Sequence, residues 1–379
     1  MSPSSLEERL AEPGPKRLLA LDGGGIRGLI SLGYLARIEE ALRLRYGRPE
    51  LVLSDYFDLI GGTSTGAIIA SALALGWPVE EIHSMYMSLG RDAFRPKKSW
   101  LGPVSKLVSA KFDDAAVAAL LRENLGNRAL GSPDLRVGLM VVAKRADTAS
   151  VWVLVNVPGH KYFEENRDLK LWEVVRASTA APTYFKPQWI SDVGGGESGV
   201  FLDGGVSMHN NPALQLLMVA TLKGFALRWP LGDEKLLLCS VGTGAFTAAP
   251  NKSAMKRYSN LHWLGLAAVQ LMGDASELNQ TILQWMSYSP TARPIDSQID
   301  SLVGDQLGPD PLITYLRYNI DLERMALFDI GLDYSPEKAS SLQGMSEVKN
   351  IAELDKIGIA AAEAQVMDEH FPPSFDRKP

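Results

Sequence analysis

Twice in the first 76 residues an apolar run meets glycines and continues as a helix: "RLLALDGGGIRGLISLGYLARIEEALRLRYG" and "YFDLIGGTSTGAIIASALALG". Each reads as a buried strand, a tight turn and a helix, the first with its strand at Leu18 to Leu21 and its helix ending near Gly47. A helix that carries the chain back across a sheet sets up a parallel neighbour, so this plan constrains the fold more than any other feature. It recurs downstream. "LRVGLMVVAKRADTASVWVLVNV" reads as two valine-rich strands around a polar turn, and "LWEVVRASTAA" as a helix that stops before Pro182. "GVFLDGGVSMHNNPALQLLMVATLKG" is again strand, loop and helix, and "EKLLLCSVGTGA" one more buried strand. From about Thr247 the chain is helix-rich, with a strand expected at "PLITYLRYNI". The fold class is α/β, a mostly parallel sheet covered by helices. Pro13, Gly14 and Pro15 mark residues 1–16 as a loose N-terminal arm.

Composition narrows the function classes. With 46% hydrophobic and 22% charged residues, 379 residues supply a large core, and a net charge of −6 argues against a nucleic-acid partner. The lone cysteine, Cys239, allows no intramolecular disulfide, which fits a reducing compartment. "MSPSSLEERLAEPGPKR" has no apolar core after a basic start, and no apolar run is long enough to span a bilayer. A cytoplasmic protein is expected.

The first turn, Asp22 to Gly28, matches G-x-G-x-x-G at Gly23, Gly25 and Gly28. A dinucleotide site would also want an acidic residue at the end of the next strand, about 20 residues on. That count lands near Arg48, and Glu39 and Glu40 fall within the helix, so a dehydrogenase is disfavoured. The turn also lacks the Gly-Lys-Ser/Thr of a phosphate loop. A tight turn needing glycine is the plain alternative. Beside a nucleophile, however, such backbone N–H groups make an oxyanion hole.

The second turn supplies that nucleophile. Ser64 stands between Gly62 and Gly66 as G-x-S-x-G, after a strand and before a helix, the context in which a serine is exposed on a sharp turn. A serine hydroxyl needs a base. An α/β-hydrolase would place Asp or Glu and then His after it. Of the histidines, His83 lies in a helix, His160 and His262 stand in no motif, and His370 is near the C-terminus. His209 sits in a loop six residues after Asp203. Asp203 ends a strand before Gly204 and Gly205, where a carboxylate could contact Ser64 directly; a turn aspartate before glycine is its ordinary reading.

In this order "DGGGIRG", "GTSTG", "RASTAAPTYFKP" and "DGGVSMHNNP" resemble the patatin-like phospholipase family, from about Leu18 to Leu217. The later "SVGTG" and "YLRYNIDLERM" are similar to bacterial members. The resemblance implies a three-layer α/β/α fold, a catalytic domain over residues 18–217 and a helix-rich region, 218–379, completing it. It also implies a Ser–Asp dyad without histidine: Ser64 as nucleophile, Asp203 as proton acceptor, and oxyanion donors from the backbone around Gly24, Gly25 and Ile26. Gly23, Arg27, Gly28, Gly62, Gly66, Gly204 and Gly205 are the remaining motif positions. The implied activity is hydrolysis of acyl esters of membrane glycerolipids, with no metal and no cofactor. The loop after Asp203 varies within the family, which leaves the role of His209 open.

Between Phe94 and Phe112 the chain carries five basic residues and no acidic one, interleaved with apolar side chains. Lys97, Lys98, Trp100 and Lys106 would suit the surface of anionic lipid. A solvated loop whose apolar residues fold back on the domain fits equally. Two other functions stay open at this point. One is a lipid-binding scaffold with an inactive site. The other, known among bacterial members, is an antiviral effector gated by a cyclic dinucleotide, although no nucleotide pocket is readable in the sequence.

Overall fold

The computed structural model describes residues 5–93, 112–246, 255–296 and 298–377. Among these residues nine strands form one sheet: β1 (Lys16–Leu21), β2 (Leu59–Thr63), β3 (Gly138–Arg145), β4 (Ser150–Val155), β5 (Gln188–Val193), β6 (Glu197–Asp203), β7 (Leu236–Val241), β8 (Ser287–Tyr288) and β9 (Ile313–Tyr318). The central strands β1, β2, β7 and β9 are buried along their whole length because both faces are covered. Leu18 and Ala20 of β1 belong to one core, and Leu19 and Leu21 to the other. Leu236 and Leu238 against Leu237 and Cys239 divide β7 in the same way. Helices Gly28–Tyr46, Thr65–Ala74, Leu171–Ser178 and Ile351–Gln365 cover the first face. Helix Ala213–Thr221 and Leu283 of helix Asn260–Trp285 cover the second, which makes three layers. Among the described residues no helix is long and apolar enough to cross a membrane.

Strand order along the hydrogen-bonded path is β5-β6-β3-β2-β1-β7-β9-β8, with β4 also paired to β3. The core of this path, from β3 to β8, is parallel, and the strands expected at "EKLLLCSVGTGA" and "PLITYLRYNI" are β7 and β9. β3 has three partners, so two must share an edge. β4 runs antiparallel along Met140–Arg145, which leaves the other edge to both β2 and β6. β2 comes up parallel and stops with Thr63 opposite Val142; β6 comes down antiparallel and stops with Asp203 opposite Ala143. The C-terminal ends of these two strands therefore face each other. Asp203 ends β6, which approaches this point from the direction opposite to β2.

The N-terminal arm is not loose from residue 5 onward. Ser5 and Glu8 form a reciprocal capping box on helix Leu6–Ala11, which satisfies orphan backbone donors and lets so short a helix persist. Leu10 is buried, and Trp229 Nε1 donates to its carbonyl at 3.1 Å. Arg9 reaches the carbonyls of Ser54 and Phe57 at 2.5 and 2.9 Å. The far end of the chain arrives at the same place. Asp58, fully buried, accepts from the Arg17 side chain at 2.8 Å and from Arg377, with Arg9 at 3.8 Å. Helix Ile351–Gln365 crosses helix Gly28–Tyr46 where Gly33 meets Gly358, and a Cβ on Gly33 would lie 2.3 Å from the Gly358 carbonyl carbon.

Removing one member of a buried ion cluster leaves the others uncompensated, at a cost of about 3–5 kcal/mol. Asp58→Asn should therefore lower the unfolding free energy in urea by about 3 kcal/mol, and Arg377→Gln, whose side chain is partly exposed, by about 1 kcal/mol. Equal midpoint shifts for the two variants would show that the cluster is not organised around Asp58.

Candidate active site

Ser64 joins β2 to helix Thr65–Ala74 with φ 54° and ψ −122°, a backbone conformation that a non-glycine residue holds only under constraint. The constraint is packing. A Cβ on Gly66 would lie 2.2 Å from the Leu21 carbonyl oxygen, and one on Gly62 would lie 2.1 Å from the Gly66 carbonyl oxygen. Only glycines on either side let the turn be this tight. The Ser64 amide donates to Ser178 Oγ at 2.8 Å, and its carbonyl accepts from Ala67 and Ile68.

The Ser64 hydroxyl donates to Asp203 Oδ2 at 2.6 Å. Oδ1 of the same carboxylate accepts the Gly205 N–H at 2.7 Å, and the Asp203 amide donates to the Ala180 carbonyl at 3.0 Å. Both rotations of the carboxyl group are thereby fixed. Asp203 is 5% exposed, and burial pushes its pKa up to about 6, against the opposing pull of the Ser64 and Gly205 hydrogen bonds and of the Arg176 charge. A hydroxyl held this close to a desolvated carboxylate can pass its proton directly.

None of the five histidines bonds to Ser64 Oγ or Asp203 among the described residues. His83 pairs with Asp355, His262 with Ser259 and His370 with the Tyr318 hydroxyl, while His160 stacks on Phe225. His209 offers its carbonyl to Thr63 Oγ1 at 2.6 Å; its Nδ1 is buried without a hydrogen-bond partner among the described residues, and burial lowers its pKa.

The glycine loop lies alongside. Asp22, at its base, takes a bidentate ion pair from buried Arg317 at 3.0 and 2.6 Å. The Gly23 amide donates to the Asn210 carbonyl, and its carbonyl accepts from Thr243 Oγ1 at 2.9 Å. Gly25, at φ 58°, turns its carbonyl toward Thr65 Oγ1 and the Tyr86 hydroxyl. Its Cβ position would fall 2.2 Å from the Met345 carbonyl oxygen, so no larger residue fits. The Gly24 and Gly25 amides meet no acceptor among the described residues. Ile26 differs from expectation: its amide opens the 3₁₀ turn Gly25–Arg27 by donating to the Met345 carbonyl at 3.0 Å, and is not free. Arg27 is buried over Phe246 and reaches the Gln343 carbonyl at 3.3 Å. Beyond the loop, between Arg27, Asn210 and Arg317, lies a cavity of about 860 Å³ whose wall includes Gln280, Asn319 and Asp321; neither Ser64 nor Asp203 lines it.

Lys97, Lys98, Trp100 and Lys106 lie outside the described residues. Sequence reasoning passed over Ser178, Asn210, Arg317 and Met345. Three of them are polar residues inside stretches whose motifs were noticed, "RASTAAP", "HNNP" and "YLRYNI"; Met345 has no local signature.

A sequence model described as patatin-like phospholipase matches residues 19–217. The chain is 26% identical over 332 residues to a cGAMP-activated phospholipase of Escherichia coli (strain TW11681), covering 87% of this chain and 86% of that one. It is 28% identical over 291 residues to patatin-17 of Solanum cardiophyllum, covering 70% of each. The solved structure of VipD from Legionella pneumophila aligns with 91% of this chain and 67% of its own at a TM-score of 0.35 and 14% identity. Its strand–turn–helix units and the match over more than half its length agree: the chain belongs to the patatin-like phospholipase family, a family of hydrolases.

Proposed function

We propose that this protein hydrolyses acyl esters of membrane glycerolipids through an acyl-enzyme on Ser64, with Asp203 as the base. The observation that carries this reading is the 2.6 Å hydrogen bond from the Ser64 hydroxyl to a buried carboxylate that no histidine reaches. Asp203 takes the hydroxyl proton as Oγ bonds to the ester carbonyl carbon. The developing oxyanion is met by the Gly24 and Gly25 amides, whose orientation the ties at Gly23, Ile26 and Asp22 fix in advance. Collapse of the tetrahedral adduct breaks the bond to the leaving alcohol, which takes the proton back from Asp203. Water then gives a proton to Asp203 and attacks the acyl group, releasing the fatty acid and restoring Ser64. A carboxylate raised to about 6 is a far better base than an ordinary aspartate, yet still ionised at neutral pH.

Two features support a lipid surface as the place of action. The segment from Phe94 to Phe112 is cationic and aromatic in sequence, and Lys97, Lys98, Trp100 and Lys106 are its proposed lipid contacts. Leu271, Leu278 and Trp285 recur every seven residues on helix Asn260–Trp285 and are exposed. Asn279 of that helix donates to the Met208 carbonyl, and Val206 and Met208, just past Asp203, are exposed as well. An apolar stripe tied to the rim of the site suits contact with a bilayer during catalysis.

Ser64→Ala should lower kcat/KM on a chromogenic short-chain ester by about 10⁴-fold or more with an unchanged circular dichroism spectrum. Near-normal turnover would remove Ser64 as nucleophile and leave a lipid-binding scaffold as the better account. For the membrane contact, Leu271→Glu combined with Leu278→Glu should suppress hydrolysis of phospholipid vesicles and spare the soluble ester; equal loss on both substrates would contradict it.

The Asp203 pKa makes two opposite demands on pH. The base must be ionised, so kcat/KM should fall as the pH drops through about 6. Stability runs the other way. The folded-state pKa lies above the ordinary 3.8, so between these values the native state binds more protons than the unfolded state, and stability declines as pH rises through about 6. The ionised carboxylate thus costs on the order of 3 kcal/mol at neutral pH. Asp203→Asn should be inactive and, at pH 7, melt higher than the parent in calorimetry; a lower melting temperature would mean that the carboxylate is not destabilised by burial.

A further inference from the structure

We infer that Ser178 is a positioning residue. Its hydroxyl and the Ala180 carbonyl form a bracket that holds the backbone of Ser64 and of Asp203 and so sets the separation of their reacting atoms. The inference rests on the proposed roles of that pair.

Ser178 ends helix Leu171–Ser178 and is fully inaccessible to solvent. Its hydroxyl donates to the Val142 carbonyl at 2.6 Å and accepts the Ser64 amide at 2.8 Å. Both capacities of one hydroxyl are thus used, and the proton's direction is fixed by the carbonyl, which can only accept. The bond lands on the amide of the one residue that joins β2 to its helix at positive φ. That conformation persists only if its surroundings over-determine it. Helix Thr65–Ala74 holds the carbonyl side of Ser64; Ser178 holds the amide side. Two residues on, the Ala180 carbonyl accepts the Asp203 amide at 3.0 Å. The Val142 carbonyl also lies against the loop after Asp203, 2.4 Å from where a Gly204 Cβ would stand. One short segment and one carbonyl of β3 therefore touch the backbone on both sides of the 2.6 Å hydrogen bond.

Alanine here would remove the hydrogen-bond partner of the part-buried Ser64 N–H and of the buried Val142 carbonyl. The neighbouring Thr179 provides the contrast. Its hydroxyl is also buried, but it closes a local bond to the Arg176 carbonyl at 3.1 Å and makes no hydrogen bond to either member of the pair among the described residues.

A bracket that positions must show itself in the coupling between Ser64 and Asp203. Of the groups packed around the Asp203 carboxylate, the Ser64 hydroxyl, the Gly205 amide and the Arg176 guanidinium each favour its ionised form, and only the first depends on Ser178. Loosening Ser64 weakens that hydrogen bond, so the acid limb of the rate profile should move to higher pH.

The test compares Ser178→Ala, Ser178→Cys and Thr179→Ala in the full chain, with kcat and KM measured on a soluble ester across pH and normalised to sites titrated with a fluorophosphonate. Ser178→Ala should lose about 10- to 100-fold in kcat with KM little changed and an acid limb at higher pH. Ser178→Cys, similar in size with a weaker donor and acceptor, should fall between; Thr179→Ala should match the parent in both. Normal kcat in Ser178→Ala, or reduced kcat with the acid limb unmoved, would overturn the inference. Should Ser178→Ala not fold, Ser178→Cys decides by the same two readouts. An active Ser64→Ala variant would instead sink the underlying assignment, whatever Ser178 does.

Discussion

Two strands cannot occupy the same stretch of one edge, and the architecture turns on where β2 stops and β6 begins along β3. With β4 filling the opposite edge, both must share what remains, one from each direction. Thr63 opposite Val142 and Asp203 opposite Ala143 leave no room for another residue between the two chain ends. The next residue of β2 is Ser64, so the juxtaposition of hydroxyl and carboxylate is a matter of sheet register before it is one of side-chain conformation. A slip of one residue in β6 would turn the carboxylate to the other face of the sheet.

That arrangement bears on how a carboxylate alone would serve in the proposed reaction. A histidine relay supplies a base near neutral pH through its own chemistry; an aspartate must be given one by its surroundings. Here desolvation raises the carboxylate, while the Gly205 amide and the Arg176 charge keep it from rising so far that it stays protonated. The balance is local to the end of β6 and the helix before it. The glycine loop is governed differently: the Asp22–Arg317 pair, Thr243 and Met345 hold it from the second half of the chain, across β7 and β9.

Much of this was legible in the sequence. The strand–glycine–helix units announced the parallel sheet, and Gly62, Ser64 and Gly66 announced the turn, because both signals are local. Asp203 could be singled out for its place before Gly204 and Gly205, but the antiparallel approach of β6 could not, since pairing direction depends on where the intervening chain returns. The arm read as loose at Pro13 to Pro15 is anchored because Trp229 and Asp58, far away in sequence, receive it. The Ile26 amide shows the same limit. Its occupation by Met345 joins residues with no shared pattern, and no motif encodes a contact whose partner is a plain backbone carbonyl.

The Met345 contact has a temporal side. During synthesis the glycine loop leaves the ribosome early, while the carbonyl that fixes it, the β9 arginine that holds its base and the Arg377 that closes the Asp58 cluster all emerge late. Contacts of such long sequence separation cannot form until both partners have emerged. A nascent chain that has emerged only through Asp203 therefore still lacks Thr243, Arg317 and Met345, the groups that hold the glycine loop.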